Sequence, residues 1–467
     1  MARERLPTRI GILGHVGTKN LGDEAIMAAV IQEIRERRPA AEIIGITFDP
    51  ADTQERHAIP SFPLRRGGAG GGRGAGAAQP STLSLLMARI KAATKAAPRL
   101  YAVLKVLRKG ARLLWAAPRL CWAAPQELRF IARCYAQLQG LDLLIVAGSN
   151  QLNDYFGGAW GFPYDLLKWC VLAKWRGAKV AFLCCGAGPL DSWLGKLLIK
   201  YSLSWADSRS YRDEFSWRLI ERLGVAGDNP VCTDLAYGLK VTPPAKREPA
   251  TSPPPRLMVG INPFPFFDGR YWPEDNPRNY QSYVRKLADF ATWLHEQGHS
   301  VSFFPTQLRA DSPVIQDIRE LLKRSAAASV ANPLGDWPIS SLDDLLRRIS
   351  MMDIVVATRY HGVLLSAALH RPLIAISYYE KTRDLMAQIG QSDCVADINA
   401  FDANSLAQQF VAVQSRTAAI RGEIAQRTRA LRQVLGREYD RVFGMLSDAS
   451  RVGVADERVA ALARLSG

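Results

Sequence analysis

What the 467-residue chain lacks narrows its class first. Its seven cysteines, at positions 121, 134, 170, 184, 185, 232 and 394, form no Cys-x-x-Cys pair. An odd count without repeated spacing argues against a disulfide framework and a zinc site, and reads as reduced thiols. No stretch approaches the roughly 18–20 uninterrupted apolar residues that a membrane span needs. The run VAFLCCGAGPL, Val180–Leu190, is too short and reads as a buried strand with its loop. The N-terminal MARERLPTRIGILG has charges but no apolar core of a signal peptide. The expectation is a cytoplasmic protein, soluble or peripheral at a membrane surface. The glycine-rich loop Gly14–Ala25, GHVGTKNLGDEA, is neither G-x-G-x-x-G nor a Walker A sequence, so a nucleotide cofactor is not indicated.

Against those absences, 48% of the residues are apolar and 22% charged, the balance of a chain that buries a sizeable core. Its length favours two domains. Sixty Lys and Arg against 44 Asp and Glu give a formal charge of +16. Most of that charge is local. Between Pro60 and Tyr135 there are fourteen basic residues and one acid, Glu127, so this segment carries +13 and the rest of the chain +3. This distribution does not support a uniformly basic nucleic-acid binder.

The apolar pattern alternates as a parallel α/β protein does. Strands are expected at Arg9–Gly14, Glu42–Phe48, Leu141–Ala147 and Lys179–Cys185, with helices from about Asp23, over Tyr164–Arg176 and over Trp193–Trp205. Residues 60–135 interrupt this order as an insertion. Its first part, RRGGAGGGRGAGAAQP, has nothing to bury, and Leu83–Tyr135 reads as broken basic helices. Residues 241–255, VTPPAKREPATSPPP, hold six prolines and read as a linker between a first domain, 1–240, and a second, 256–404. In the second domain strands are expected at Leu257–Ile261, Ser300–Phe304, Asp353–Ala357 and Pro372–Ser377. Helices are expected over Tyr280–Gln297, Val314–Arg324 and near Gly362–Leu369, and residues 405–467 form a helical tail without a clear place. Two such domains create a cleft facing the carboxyl ends of both sheets.

Candidate chemistry lies at the strand ends. In DIVVATRYHGVLLSAALHRPLIAISYYEK, Asp353–Lys381, Arg359 and His361 follow an apolar strand and open a helix, a natural anion site. Either they serve there, or Arg359 pairs with an acid and His361 caps the helix. His370 falls inside the helix pattern and reads as structural. In Ser208–Gly224, SRSYRDEFSWRLIERLG, Asp213 and Glu214 read as helix-capping acids. Arg212 either pairs with them or projects into the cleft. In the first loop Asn20, Gly22 and Asp23 offer a phosphate or sugar cradle, unless Asp23 is simply an N-cap with Gly22 as its turn. AGSNQLND, Ala147–Asp154, offers Ser149, Asn150 and Asp154 as hydrogen-bonding groups, and CGAGPLDS follows as a third such loop.

Four segments in this order resemble the polysaccharide pyruvyl transferase family: NLGDEAI, AGSNQLND with CGAGPL, SYRDEFS, and TRYHGVLLSAALHRPLIAISYYEK. The family usually carries a run of glycines where this chain has Gly148-Ser149-Asn150. The resemblance implies two Rossmann-like doubly wound domains in a glycosyltransferase-B-type arrangement. It implies phosphoenolpyruvate as donor substrate and a saccharide acceptor, with no metal and no separate cofactor. Arg359 and Arg212 would hold the donor's carboxylate and phosphate, a task suited to planar guanidinium groups. Lys381, Tyr360, Asn20, Gly22, Asp23, Gly148 and Asn150 would line the site, and His361 would be the general acid. The basic stretch 83–135, with interleaved Leu and Trp, would suit an anionic membrane surface. Two other readings compete: a glycosyltransferase using a nucleotide sugar on the same fold, and a non-catalytic membrane-surface scaffold.

Overall fold

The structure, a computed structural model, describes residues 7–67, 124–155, 157–241, 256–272, 275–324 and 338–446. Most of the basic stretch, nearly all of the proline-rich segment and the last 21 residues lie outside these.

The first sheet is built from β1 (Arg9–Leu13), β2 (Glu42–Thr47), β3 (Ser61–Pro63), β4 (Leu143–Ala147), β5 (Lys179–Cys185) and β6 (Ser208–Tyr211). Their spatial order is β3-β2-β1-β4-β5-β6, every pairing parallel. The helices of this half are α1 (Leu21–Arg37), α2 (Pro50–His57), α3 (residues 124–137), α4 (Phe162–Trp175), α5 (Trp193–Ser204) and α6 (Glu214–Glu221). The second sheet runs β11-β10-β9-β7-β8, from β7 (Met258–Asn262), β8 (Ser300–Phe303), β9 (Ile354–Ala357), β10 (Leu373–Ser377) and β11 (Val395–Asp397), also all parallel. Around it lie α7 (Pro277–Glu296), α8 (Leu308–Arg324), α9 (Leu342–Ser350), α10 (Tyr360–Ala368) and α11 (Glu380–Gln388). Both sheets are doubly wound. The strand order reverses beside β1 and β4 in the first and beside β7 and β9 in the second, and ligands bind at such reversals.

Burial explains the strand pattern. β4 and β10 are buried at all five positions, because a parallel sheet is covered by helices on both faces. Along β1, Ile10 and Ile12 face α1 while Leu13 belongs to the core on the opposite face. The α1-side core continues into the second domain and the tail without a break.

Three expectations needed adjustment. The stretch 60–135 is not wholly an insertion, since Ser61–Pro63 pairs with β2 as the edge strand β3. Its three residues are too few to show a period. Helix α8 begins at Leu308, ahead of Val314, and carries Pro313 within it. Gln307 and Asp311 organise its first turn, with the Gln307 side chain accepting from the Ala310 amide. The tail is two helices, α12 (Ala403–Ser415) and α13 (Thr417–Phe443), and it has a definite place. Ile420, Ile424, Leu435 and Tyr439 bury one stripe of α13. Arg432 donates to the Tyr237 and Ala368 carbonyls, and Arg441 to the Arg209 carbonyl, so the tail ties the second domain back to the first.

Candidate active site between the two sheets

In the first domain the loop after β1 ends at Asn20, which caps α1. Its Oδ1 accepts from the Gly22 amide at 3.2 Å and its Nδ2 donates to Asp23 at 2.6 Å. Asp23 is therefore not the cap; it sits in the first turn and also meets His15 Nδ1 at 2.9 Å. This loop is stitched to the second domain. The Leu21 amide donates to the Thr306 carbonyl at 2.8 Å, the Leu308 amide to the Lys19 carbonyl at 3.0 Å, and Gln307 Nε2 to the Thr18 carbonyl at 3.1 Å.

The loops after β4, β5 and β6 supply the next wall. Gly148 is pressed against β5: a Cβ there would lie 2.7 Å from the Cys184 carbonyl. Asn150 donates to the Gly188 carbonyl at 2.8 Å and accepts from Lys381 Nζ at 2.9 Å, while Lys381 also reaches the Ala187 carbonyl at 3.1 Å. Lys381 opens α11 of the second domain, so this contact crosses the cleft. Buried Arg212 lies 3.3 Å from both Asp213 and Asp234, and its guanidinium sits 4.9 Å over the Tyr360 ring. Both alternatives for Arg212 thus hold together: it is paired, and it faces the other domain. Asp213 caps α6 as expected, accepting from the Ser216 amide at 2.7 Å. Gly186 lets Arg212 and Asn150 converge, since a Cβ there would fall 2.8 Å from Arg212 Nη2 and 3.0 Å from Asn150 Oδ1.

From the second domain, β9 delivers Arg359 at the N-cap of α10. Its Nε donates to Asp311 at 2.7 Å, and its guanidinium lies 4.4 Å over the Phe264 ring. Asp311 is fully buried and also accepts from the Thr306 and Gln307 amides. Arg359 is therefore paired with an acid, whereas His361 does not cap the helix. His361 stands in the first turn of α10, its ring at an edge to Tyr360 and 5.4 Å away. It packs directly on Gly22, and its Nε2 is buried without a hydrogen-bond partner.

These surroundings tune the ionisable groups. Burial pushes the His361 pKa below the ordinary imidazole value; Arg212 and Arg359 add to this, and Asp234 and Asp23 oppose it. Burial and the Arg212 charge bring the Lys381 pKa down to about 7, against the pull of Asp213. For Arg212, burial works against the charge, but Tyr360, Asp234 and Asp213 outweigh it and raise the pKa. Arg359 is likewise raised, with Asp311 overcoming the cost of burial. The cleft so combines two fixed cations, a lysine that titrates near neutrality, a neutral imidazole and the N-terminus of α10. That set has the chemistry to recognise a small polyanion and to move protons beside it.

The family model for polysaccharide pyruvyl transferase matches residues 20–380. The chain belongs to this family. The match opens at Asn20 and closes one residue before Lys381, so it takes in every other candidate residue of the cleft. A comparison with curated protein sequences finds no match. Among solved structures, a Listeria monocytogenes protein assigned as a UDP-N-acetylglucosamine 2-epimerase aligns with a TM-score of 0.54 at 8% identity, over 95% of this chain and 98% of its own. The co-structure of S. aureus MnaA with UDP aligns at 0.51 and 9% identity, over 94% and 97%. A glycosyltransferase from Rickettsia africae ESF-5 aligns at 0.51 and 10%, over 95% and 100%. At such identity the likeness is one of fold, two parallel-sheet domains of the glycosyltransferase-B type.

The ten residues that the family resemblance assigns to the site all stand in loops or first helical turns that follow β1, β4, β6, β9 and β10. Five others were missed: Asp311, Asp234, Phe264, His15 and Gly186. Asp311 stands in the first turn of α8, Asp234 just before a short helical turn, and Phe264, His15 and Gly186 in loops that follow strands. Their partners are 22 to 48 residues away for the two ion pairs. Pro313 further hid Asp311 by placing the expected start of α8 after it. Among the described residues no group of acids, histidines and cysteines is arranged to hold a metal ion.

Proposed function

We propose that the cleft binds phosphoenolpyruvate and forms a pyruvate ketal on a sugar of an envelope polysaccharide or its lipid-linked precursor. The observation that carries this reading is that Arg212 and Arg359, from opposite domains, both act on the buried His361, with Lys381 beside Arg212. Phosphoenolpyruvate presents a carboxylate at one end and a phosphate at the other, which two guanidinium groups hold by paired hydrogen bonds. A proton delivered to the enol methylene carbon makes C2 electrophilic. One sugar hydroxyl adds to C2, phosphate departs with the C2–O bond electrons, and a second hydroxyl of the same sugar closes the ketal. Two hydroxyl protons are released and one is taken up by the methylene, the other balancing the departing phosphate. His361 is the general acid: its orphaned Nε2 gains a proton once the donor's negative charge offsets the surrounding guanidinium groups. Lys381, able to shed its proton near pH 7, takes the proton of the attacking hydroxyl.

A peripheral position on an anionic membrane fits a lipid-linked acceptor. Among the described residues no helix is long and apolar enough to cross a membrane. Helix α5, however, exposes Trp193 (76%), Leu197 and Tyr201 (51%) at four-residue spacing, flanked by Lys196 and Lys200, with no acid inside the helix. Aromatic and aliphatic groups beside lysines are the composition of a bilayer-surface contact.

The decisive experiment is thermal stability with and without phosphoenolpyruvate, in the wild type and in Arg359→Ala. A ligand that binds the folded state alone raises Tm. The reading requires a rise in the wild type that the variant loses. A rise with a nucleotide sugar and none with phosphoenolpyruvate would transfer the cleft to glycosyl transfer.

A further inference from the structure

On the opposite side of the domain junction, at the amino ends of the strands, lies a cavity of about 700 Å³. The end of α1, residues 238–241, the segment Ala368–Arg371 and helix α13 all contribute to its wall. A second cavity, of about 510 Å³, shares Leu369, His370 and Arg371 with the first and continues along α13 past Arg421. The two meet at His370, where the backbone turns left-handed with φ 56°, an uncommon conformation for a residue with a side chain.

The charges of this double cavity are unevenly matched. At one end Glu33 and Glu36 are taken up by Arg37 and Lys240. At the other, Arg371, Arg421 and Arg432 gather around His370, together with Arg429. Arg371 donates to the Met352 carbonyl and Arg432 to those of Tyr237 and Ala368. Among the described residues, none of these four arginines forms an ion pair. Two polar atoms are left over: His370 Nε2 and the donor Arg371 Nε are buried without a hydrogen-bond partner. Burial and the neighbouring arginines hold the pKa of His370 below its ordinary value, and burial does the same for Arg371 and Arg432. Such a cluster of cations and unmet polar atoms is costly without a counter-charge.

We infer that this junction is a second ligand site, separate from the cleft, for a phosphate-bearing anion held by His370, Arg371, Arg421 and Arg432. Phosphoryl oxygens accept several hydrogen bonds at once and match guanidinium geometry. The ligand would touch both domains and the tail helix together, so its binding favours the joined arrangement of the three.

The probe is inorganic pyrophosphate, titrated calorimetrically into the full chain and followed by amide hydrogen exchange. Binding is expected to persist in Arg359→Ala, which disables the cleft, and to weaken at least ten-fold in Arg371→Gln. The exposed Arg421→Gln, which leaves the fold undisturbed, is expected to weaken it about three-fold or more. Protection from exchange should appear around residues 368–371 and 418–425. The inference is overturned by the absence of wild-type binding, by binding that vanishes in Arg359→Ala, or by protection confined to residues 14–23 and 359–362. Unchanged affinity in both arginine variants overturns it equally, and loss of binding in Arg371→Gln or Arg421→Gln leaves the reading of the cleft untouched.

Discussion

Gly22 and His361 touch so closely that a Cβ on the glycine would fall 2.0 Å from the imidazole Cγ. The N-terminus of α1 in one domain and that of α10 in the other are thus fitted to each other through a missing side chain. Gly22→Ala is expected to push the imidazole aside and loosen the Leu21–Thr306 hydrogen bond next to it. Overpacking of this kind costs about 1–3 kcal/mol. A displacement of about 1 Å at a reacting group costs on the order of 100-fold in rate. Stopped assays of ketal formation should show kcat falling by that order while far-ultraviolet circular dichroism stays unchanged. An active Gly22→Ala protein would remove His361 from the chemistry.

The sequence carried the strands well because a parallel sheet covered on both faces demands apolar runs, and those of β4 and β10 have no polar interruption. Arg359 and His361 were visible for the same reason, standing two and four residues past the apolar β9, whereas Arg212 follows the polar strand β6 and was visible only through the acids and helix after it. What escaped was set by long-range contact. Asp311 matters because β8 and β9 bring their loops side by side, and Asp234 because a short helical turn near the linker folds back under Arg212. The place of α13 was hidden as well, since its buried stripe does not say which surface receives it.

The pairing of Asp311 with Arg359 makes a second prediction. One carboxylate oxygen faces the Arg359 guanidinium and the other the Thr306 and Gln307 amides. An asparagine places its amide hydrogens against one set of donors or the other. Asp311→Asn should therefore destabilise the protein by about 3–5 kcal/mol, the range for breaking a buried ion pair. Chemical denaturation measures it. A loss below about 1 kcal/mol would show that Arg359 is held by the Phe264 ring rather than by the acid.

Lys381 sets a pH dependence with a definite sign. Its pKa is about 7 in the fold, against roughly 10.4 for a free lysine. Below pH 7 the folded protein bears the full penalty of a desolvated ammonium. Between these values the unfolded chain binds more protons, so the penalty fades as pH rises. Lys381→Met should accordingly compare best with the wild type at pH 6 and worst at pH 9, whatever the cost of losing the Asn150 and Ala187 hydrogen bonds. Melting curves of both proteins across this range test the sign. If Lys381 is also the base, the wild-type kcat/KM profile has an ascending limb near pH 7 that the methionine variant lacks.

The exposed stripe of α5 yields the last prediction. Vesicles containing anionic phospholipid should bind the wild type through two terms, charge attraction and insertion of aromatic side chains into the headgroup region. Salt separates them, because at about 0.5 M the attraction between exposed charges is screened beyond a few ångströms. Trp193→Ser combined with Tyr201→Ser removes two of the exposed groups without touching the buried side of the helix, where Ile199 and Leu203 pack. The double variant should sediment with vesicles about ten-fold less at high salt, and the difference should narrow at low salt as the lysines of α5 and the basic stretch take over. Equal sedimentation at high salt would mean that α5 does not meet the bilayer, and its aromatic face would then belong to a protein contact.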